Sequence, residues 1–230
     1  MSRAGFITAT LLGAAAAQGA VFVFDFALPE NQRSIPDGVS GRSDSRVIDS
    51  IPLDRVTDVN VRFNIEGTGF GAFNGDFYAT LTYLSGDVEV SSVLLNRPGL
   101  SAGFPAGYFD NGLSITLDDQ ASTDVHFYRD VVQPSPEEQV TGIFQPDGRR
   151  VDPNLVAEDT PRTAMLDVFN GLNPNGTWIL FVADVSSGGT AQLTDWSLEI
   201  TAVPEPVHAL PVAAVLACGV VAHRMRRRAR

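Results

Sequence analysis

The sequence predicts an all-β sandwich. Three observations predict it. Apolar and polar residues alternate with a period of two along most of the chain. The 21 Gly and 14 Pro break that alternation into short runs. Only residues 163–169 have any helical character, and they amount to a short turn. Hydrophobic residues make up 44% of the chain, enough for a core without disulfides.

The elements follow in order. Residues 21–26, Val-Phe-Val-Phe-Asp-Phe, open the body as a strand. Residues 31–45 are polar and turn-rich; Pro36-Asp37-Gly38 reads as a turn leading to an edge strand. Residues 47–51 form a short strand. In residues 56–66, Val59, Val61, Phe63 and Ile65 share one face, with Asn60, Arg62 and Asn64 on the other. Asn74-Gly75-Asp76 introduces a strand at 77–84, and Gly86 turns the chain into another at 88–95. Leu113, Ile115 and Leu117 mark the next strand. Later strands cover residues 166–169, 178–183 and 193–200. In the last, Leu193, Asp195, Ser197 and Glu199 form one set and Trp196, Leu198 and Ile200 the other. Trp178 and Trp196 sit among aliphatic residues and read as core. Residues 130–161 are polar and Pro-rich and read as a long connection rather than a packed element. No internal repeat is evident.

Both ends read as processing signals. Arg3, an apolar run over 5–17 and the small residues Ala17 and Gly19 fit a secretory signal peptide over residues 1–20. Near the C-terminus, Pro204-Glu205-Pro206 precedes an apolar run over 207–221. The cluster Arg224, Arg226, Arg227, Arg228 and Arg230 then closes the chain. The apolar run is marginal for crossing a hydrocarbon layer of about 30 Å. The arginines would hold the end in the cytoplasm, leaving residues 21–202 outside the inner membrane. This tail, residues 203–230, resembles the PEP-CTERM sorting signal of Gram-negative bacteria. The resemblance implies exosortase as a partner, with the tail removed and the body delivered to the cell envelope, surface or extracellular matrix. An ordinary tail anchor is the alternative.

The 16 basic residues are all arginine, and six of them lie in the two terminal signals, leaving ten in the body. Residues 21–206, which include Glu205 of the tail, hold all 27 acidic residues against those ten arginines, a net of −17, which repels nucleic acid and anionic headgroups. The one cysteine, Cys218, falls in the apolar tail, so the body has neither disulfide nor thiol nucleophile.

The body also resembles the P domain (P/Homo B) that follows the protease domain of kexin-like proprotein convertases. The matching residues begin with the strand at 59–65 and Asn74-Gly75-Asp76 with the strand after it. Asp118-Asp119-Gln120-Ala121 and the element at 142–148 follow. The closing block has Asn170-Gly171, Asn175-Gly176-Thr177-Trp178, Asp184, Gly189 and Trp196. The resemblance spans residues 31–201 and implies a jelly-roll-like β-sandwich. Residues 1–20 read as a leader with no catalytic domain, so the resemblance implies the module and not the protease.

Chemical candidates are few. His126 is the one histidine of the body, and it reads as structural or surface in a strand-like run rather than as half of a Ser-His-Asp system. Zinc lacks ligands. Gly67-Thr68-Gly69-Phe70-Gly71 reads as a hairpin loop, since no Lys or helix follows to hold a phosphate. Asn175-Gly176-Thr177 matches a glycosylation sequon but reads as a turn. Calcium is the favoured cofactor: Asp118 and Asp119 first, then Asp76 and Asp184, supply the hard oxygens it needs. The competing reading is that these aspartates accept backbone hydrogen bonds in turns. The expectation is a non-enzymatic, structural or adhesive module that binds an extracellular polysaccharide or surface protein. The alternatives are a polysaccharide hydrolase using sandwich carboxylates and an accessory module for a separately encoded subtilisin-like protease.

Overall fold

Strict alternation leaves one apolar face per strand, and two such faces stack into a sandwich. The computed structural model describes residues 18–38, 40–69 and 71–205. Most of the leader, Pro206 and the arginine cluster lie outside these residues. Among the described residues no helix is long and apolar enough to cross a membrane.

The fold is an all-β, jelly-roll-like sandwich. Sheet A holds β1 (Ala20–Ala27), β10 (Ala191–Val203), β4 (Arg55–Gly67), β7 (Gly112–Leu117) and β8 (Val140–Phe144), in that order across the sheet. The short β2 (Ser34–Ile35) also pairs with β10. Sheet B holds β3 (Gly41–Ile48), β9 (Gly176–Asp184), β5 (Phe77–Ser85) and β6 (Val88–Asn96) in that order. Pairing is antiparallel except between β7 and β8, which run parallel. Val59, Val61, Phe63 and Ile65 are buried, as the alternation requires, and face the inward set of β9, Trp178, Leu180 and Val182. Both tryptophans are core residues. Trp178 packs edge-on against Tyr83 and Phe169, and Trp196 sends its indole N–H to Asp44 Oδ2 at 2.6 Å.

Several elements differ from the sequence reading. The strand expected at 47–51 is β3, and it begins at Gly41; its Arg42, Asp44 and Arg46 hid the pattern because they point toward the other sheet at its edge. Residues 166–169, read both as a strand and as part of a short helical turn over 163–169, form a 3₁₀ turn. Leu193, expected with the polar set of β10, is buried because a β-bulge between Leu193 and Asp195 shifts the face by one. The loop at 67–71 is not a hairpin. It carries the chain from β4 in sheet A toward β5 in sheet B. Asn175-Gly176-Thr177 is not a hairpin turn either, since it leads into β9; Asn175 instead ties the chain to Ile51, its Oδ1 accepting from Ile51 N at 3.0 Å and its Nδ2 donating to Ile51 O at 2.8 Å. Both side-chain groups are thereby engaged.

The largest difference is the segment over 130–161, which is packed and contains β8. His126 lies beside it, in a 3₁₀ turn (Val125–Asp130) and not in a strand. Its ring is fully buried, with Nδ1 2.8 Å from Asp147 Oδ2 and Nε2 3.1 Å from Leu100 O. Asp147, also fully buried, accepts from Arg149 N at 3.2 Å. Arg149 Nη1 lies 2.9 Å from Asp124 Oδ2 and 3.4 Å from Asp147 Oδ1. Arg162 adds donors to the backbone oxygens of Pro146 and Asp147. A buried carboxylate stripped of such partners leaves uncompensated charges behind. Asp147→Ala is therefore expected to lower unfolding free energy by about 3–5 kcal/mol, whereas Asp152→Ala on the exposed part of the segment changes it by less than about 0.5 kcal/mol. Urea denaturation of the two variants checks this.

Candidate functional site

The outward faces of β5 and β9 should carry small polar side chains, and on β5 Thr80 and Thr82 do so. Two aromatics break that pattern. Tyr78 on β5 and Phe181 on β9 both point outward, half-buried, with ring centroids 6.4 Å apart in an edge-on arrangement. Phe181 reaches over β3 because Gly41 has no side chain; a Cβ there would meet the ring at 2.1 Å. The rings floor a cleft of about 610 Å³. One wall is residues 150–154, the other is Gly38, Ser40 and Gly41, and Asp184 closes one end.

The wall at 150–154 is set from beneath. Buried Asn96, the last residue of β6, donates from Nδ2 to Arg149 O at 2.9 Å and Val151 O at 3.1 Å. Arg150 ties the wall to β6 through Ser91 O at 2.6 Å. Asp152 Oδ1 accepts from the N–H and the side-chain amide of Asn154, at 2.8 and 3.0 Å. The cleft thus presents an aromatic floor with hydroxyl, amide and carboxylate groups around it. That suits a flat, hydroxyl-rich ligand.

The four aspartates singled out in the sequence occupy two places. Asp76 closes the 3₁₀ turn Asn74–Asp76, almost fully buried, with Arg97 Nη2 at 3.6 Å. Burial raises its carboxyl above the ordinary range, and Arg97 opposes that shift. Asp184, the last residue of β9, pairs with Phe77 and accepts from Ser186 N at 3.3 Å. Burial pushes it up to about 6, with the charges of Asp76 and Asp37 adding to the effect. Asp118 and Asp119 follow β7 at the opposite end of that strand, about 20 Å away at ~3.3 Å per residue. Asp118 Oδ1 accepts from Gln120 N at 2.7 Å. Asp119 holds the N–H groups of Leu166 and Asp167 at 3.0 and 2.6 Å, capping the 3₁₀ turn Leu166–Phe169. Its carboxyl too is raised by burial. The two pairs do not converge. Among the described residues no group of three or more His, Cys, Asp and Glu is arranged to hold a metal ion. Beside Asp76 the cation is Arg97. Pro204 and Glu205 follow the end of β10, and Pro206 lies outside the described residues.

Sequence reading missed Tyr78, Phe181 and the wall at 150–154. An aromatic on the outward set of each strand was a usable signal. The wall gave none, because its position depends on Asn96 and the buried His126–Asp147 pair.

Neither a protein-family model nor a curated protein matches this chain. Two solved structures are similar to it. One is the serine protease of Aeromonas sobria in complex with the chaperone ORF2, at 14% identity and a TM-score of 0.42. It covers 81% of this chain and 27% of that chain. The other is the serine protease of Aeromonas sobria, at 17% identity and a TM-score of 0.44, covering 83% of this chain and 28% of that chain. This chain therefore spans little more than a quarter of the length of either.

Two expectations follow from the aspartates. An unfolded Asp ionises near 3.8 and folded Asp184 at about 6, so the native state keeps the proton longer. This contribution to stability is fully present below about pH 4 and is lost as pH rises through about 6. Asp184→Asn, which keeps the acceptor for Ser186 N–H, flattens that decline and raises stability at pH 7.5 relative to pH 4, read by urea unfolding at the two pH values. Asp119→Ala lowers the unfolding midpoint equally in EDTA and in millimolar calcium, because the lost bonds are to the backbone; a loss confined to calcium would assign the carboxylate to the ion.

Proposed function

We propose that residues 21–202 form an exported, non-enzymatic binding module with a structural or adhesive role at the cell surface. Its ligand is a neutral, hydroxyl-rich polymer of the envelope or extracellular matrix, held in the cleft over Phe181 and Tyr78. The carrying observation is that aromatic floor, framed by Asp152, Asn154 and Asp184. A sugar ring presents an apolar face to an aromatic and hydroxyls to the rim. His126 does not serve as a base in such a site, because both ring nitrogens are engaged and the ring is sealed in the interior. The signal peptide and the PEP-CTERM-like tail account for delivery. Exosortase-type machinery and transient contact with the inner membrane belong to that route.

A second reading, the accessory module for a separately encoded subtilisin-like protease, rests on the P-domain resemblance. Phe104 and Phe109 support it: they are 45% and 60% exposed, Phe104 beside Arg129 and Phe109 edge-on to Phe73, as apolar groups that a protein partner would cover. A polysaccharide hydrolase would draw on the same cleft, with Asp184 as the protonated acid and Asp152 as the second carboxylate.

Affinity electrophoresis through gels containing soluble neutral glycans separates these readings. The wild-type protein is retarded, and Phe181→Ala weakens retardation at least ~10-fold, about 1.4 kcal/mol. Equal mobility of the two proteins would remove the cleft from consideration. Release of new reducing ends by the wild type, abolished in Asp184→Asn, would make the module a hydrolase.

A further inference from the structure

A strand at a sheet edge exposes unpaired N–H and C=O groups that recruit another strand unless something blocks them. Among the described residues the two sheets present four edges: β1 and β8 in sheet A, β3 and β6 in sheet B. Three of them are blocked. The C-terminal half of β6 is covered by the segment at 147–164, through Val93 N to Ala164 O at 2.9 Å and Asp147 N to Leu94 O at 3.0 Å. Edge strand β3 carries inward-pointing charges, Arg42, Asp44 and Arg46. Edge strand β8 is five residues long and contains Gly142 in a left-handed conformation.

Edge β1 has none of these devices. It runs Ala-Val-Phe-Val-Phe-Asp-Phe-Ala for eight residues, paired to β10 from Ala20 to Ala27 without a bulge. It contains no Pro, no Gly and one charge, Asp25. Val21 and Val23 are each 57% exposed on the outer face. Phe22, Phe24 and Phe26 pack against the core on the inner face but remain only partly covered. An apolar, regular and open edge of this length is a pairing surface in its own right.

We infer that β1 is the interface through which two copies of this chain pair, antiparallel, into one continuous sheet. The strand is complementary to itself. A two-fold axis normal to the sheet keeps each inner face inner, so residues of the same parity meet across it. Phenylalanine then meets phenylalanine beneath the sheet. Registers centred on Val23 or on Phe24 each pair about seven residues. Both place Asp25 opposite a valine, Val21 or Val23, and not opposite its own copy. A foreign strand would need this pattern independently, whereas the second copy already carries it. Pairing brings two strongly acidic bodies together, so the association tightens as salt screens their repulsion.

The test uses residues 18–204, which contain every described strand and the whole core. Sedimentation velocity from about 1 to 200 μM should show concentration-dependent doubling of mass, stronger at 0.5 M than at 0.05 M NaCl. Val21→Lys combined with Val23→Lys places two charges on the exposed face and should leave a monomer with unchanged circular dichroism and melting temperature. Val47→Lys, on exposed β3, should leave the dimer intact. A wild type that stays monomeric throughout would overturn the inference and leave β1 to a foreign strand. A dimer that survives the double variant would overturn it as well, by placing the interface elsewhere.

Discussion

A carboxylate removed from water has to be paired or protonated, and Asp147 is paired from several directions at once. It faces the His126 ring through one oxygen, and through the other the N–H and guanidinium of Arg149. Its backbone N–H bonds Leu94 O on β6, and its carbonyl accepts from Arg162. Arg149 carries the network on to Asp124, whose Oδ1 in turn caps the turn holding His126. The network closes on itself. In the low dielectric of the interior such a closed set specifies one arrangement, since any opened member leaves a bare charge. The segment at 145–164 is ordered because it carries half of these groups.

The same network positions the candidate site. Once Asp147 and Arg149 are fixed, the next residues emerge at the edge of β6, where Asn96 and Ser91 O bind them. Residues 150–154 therefore stand as a wall beside the outer face of sheet B. The floor has a separate cause: the absence of a side chain at Gly41 lets the Phe181 ring lie across β3 beside Tyr78. Wall and floor come from distant stretches of sequence and meet because β3, β9 and β5 are neighbours in the sheet.

Where burial on one face is the dominant force, the sequence announces the element. β4, β5, β6, β7, β9 and the central part of β10 were legible because their inward residues are mostly apolar, with Ser92 and Asn96 on β6 and Asp184 on β9 as the buried polar exceptions. Legibility failed where another interaction overrode alternation. Charged side chains turned inward on β3 concealed its first half. A bulge moved Leu193 to the core side of β10. Hydrogen bonds reaching across 47 and 48 residues of chain, from the N–H groups of Leu166 and Asp167 to Asp119, decided for a 3₁₀ turn where the sequence allowed both a strand and a short helical turn. At Asp118 and Asp119 the competing reading, turn chemistry, describes the bonds present.

The sequence by itself determined the all-β class, most inward faces, the core role of both tryptophans and the acidity of the body. These are local properties: each follows from neighbours two residues apart or from composition alone. Only the tertiary structure decided that Asp76 and Asp184 share a buried corner with Arg97 while Asp118 and Asp119 lie at the other end of β7. It also decided that the Pro-rich segment packs and that β1 is an open edge. These depend on which strands become neighbours and on buried charges meeting across 20 or more residues of chain, and no local period encodes them.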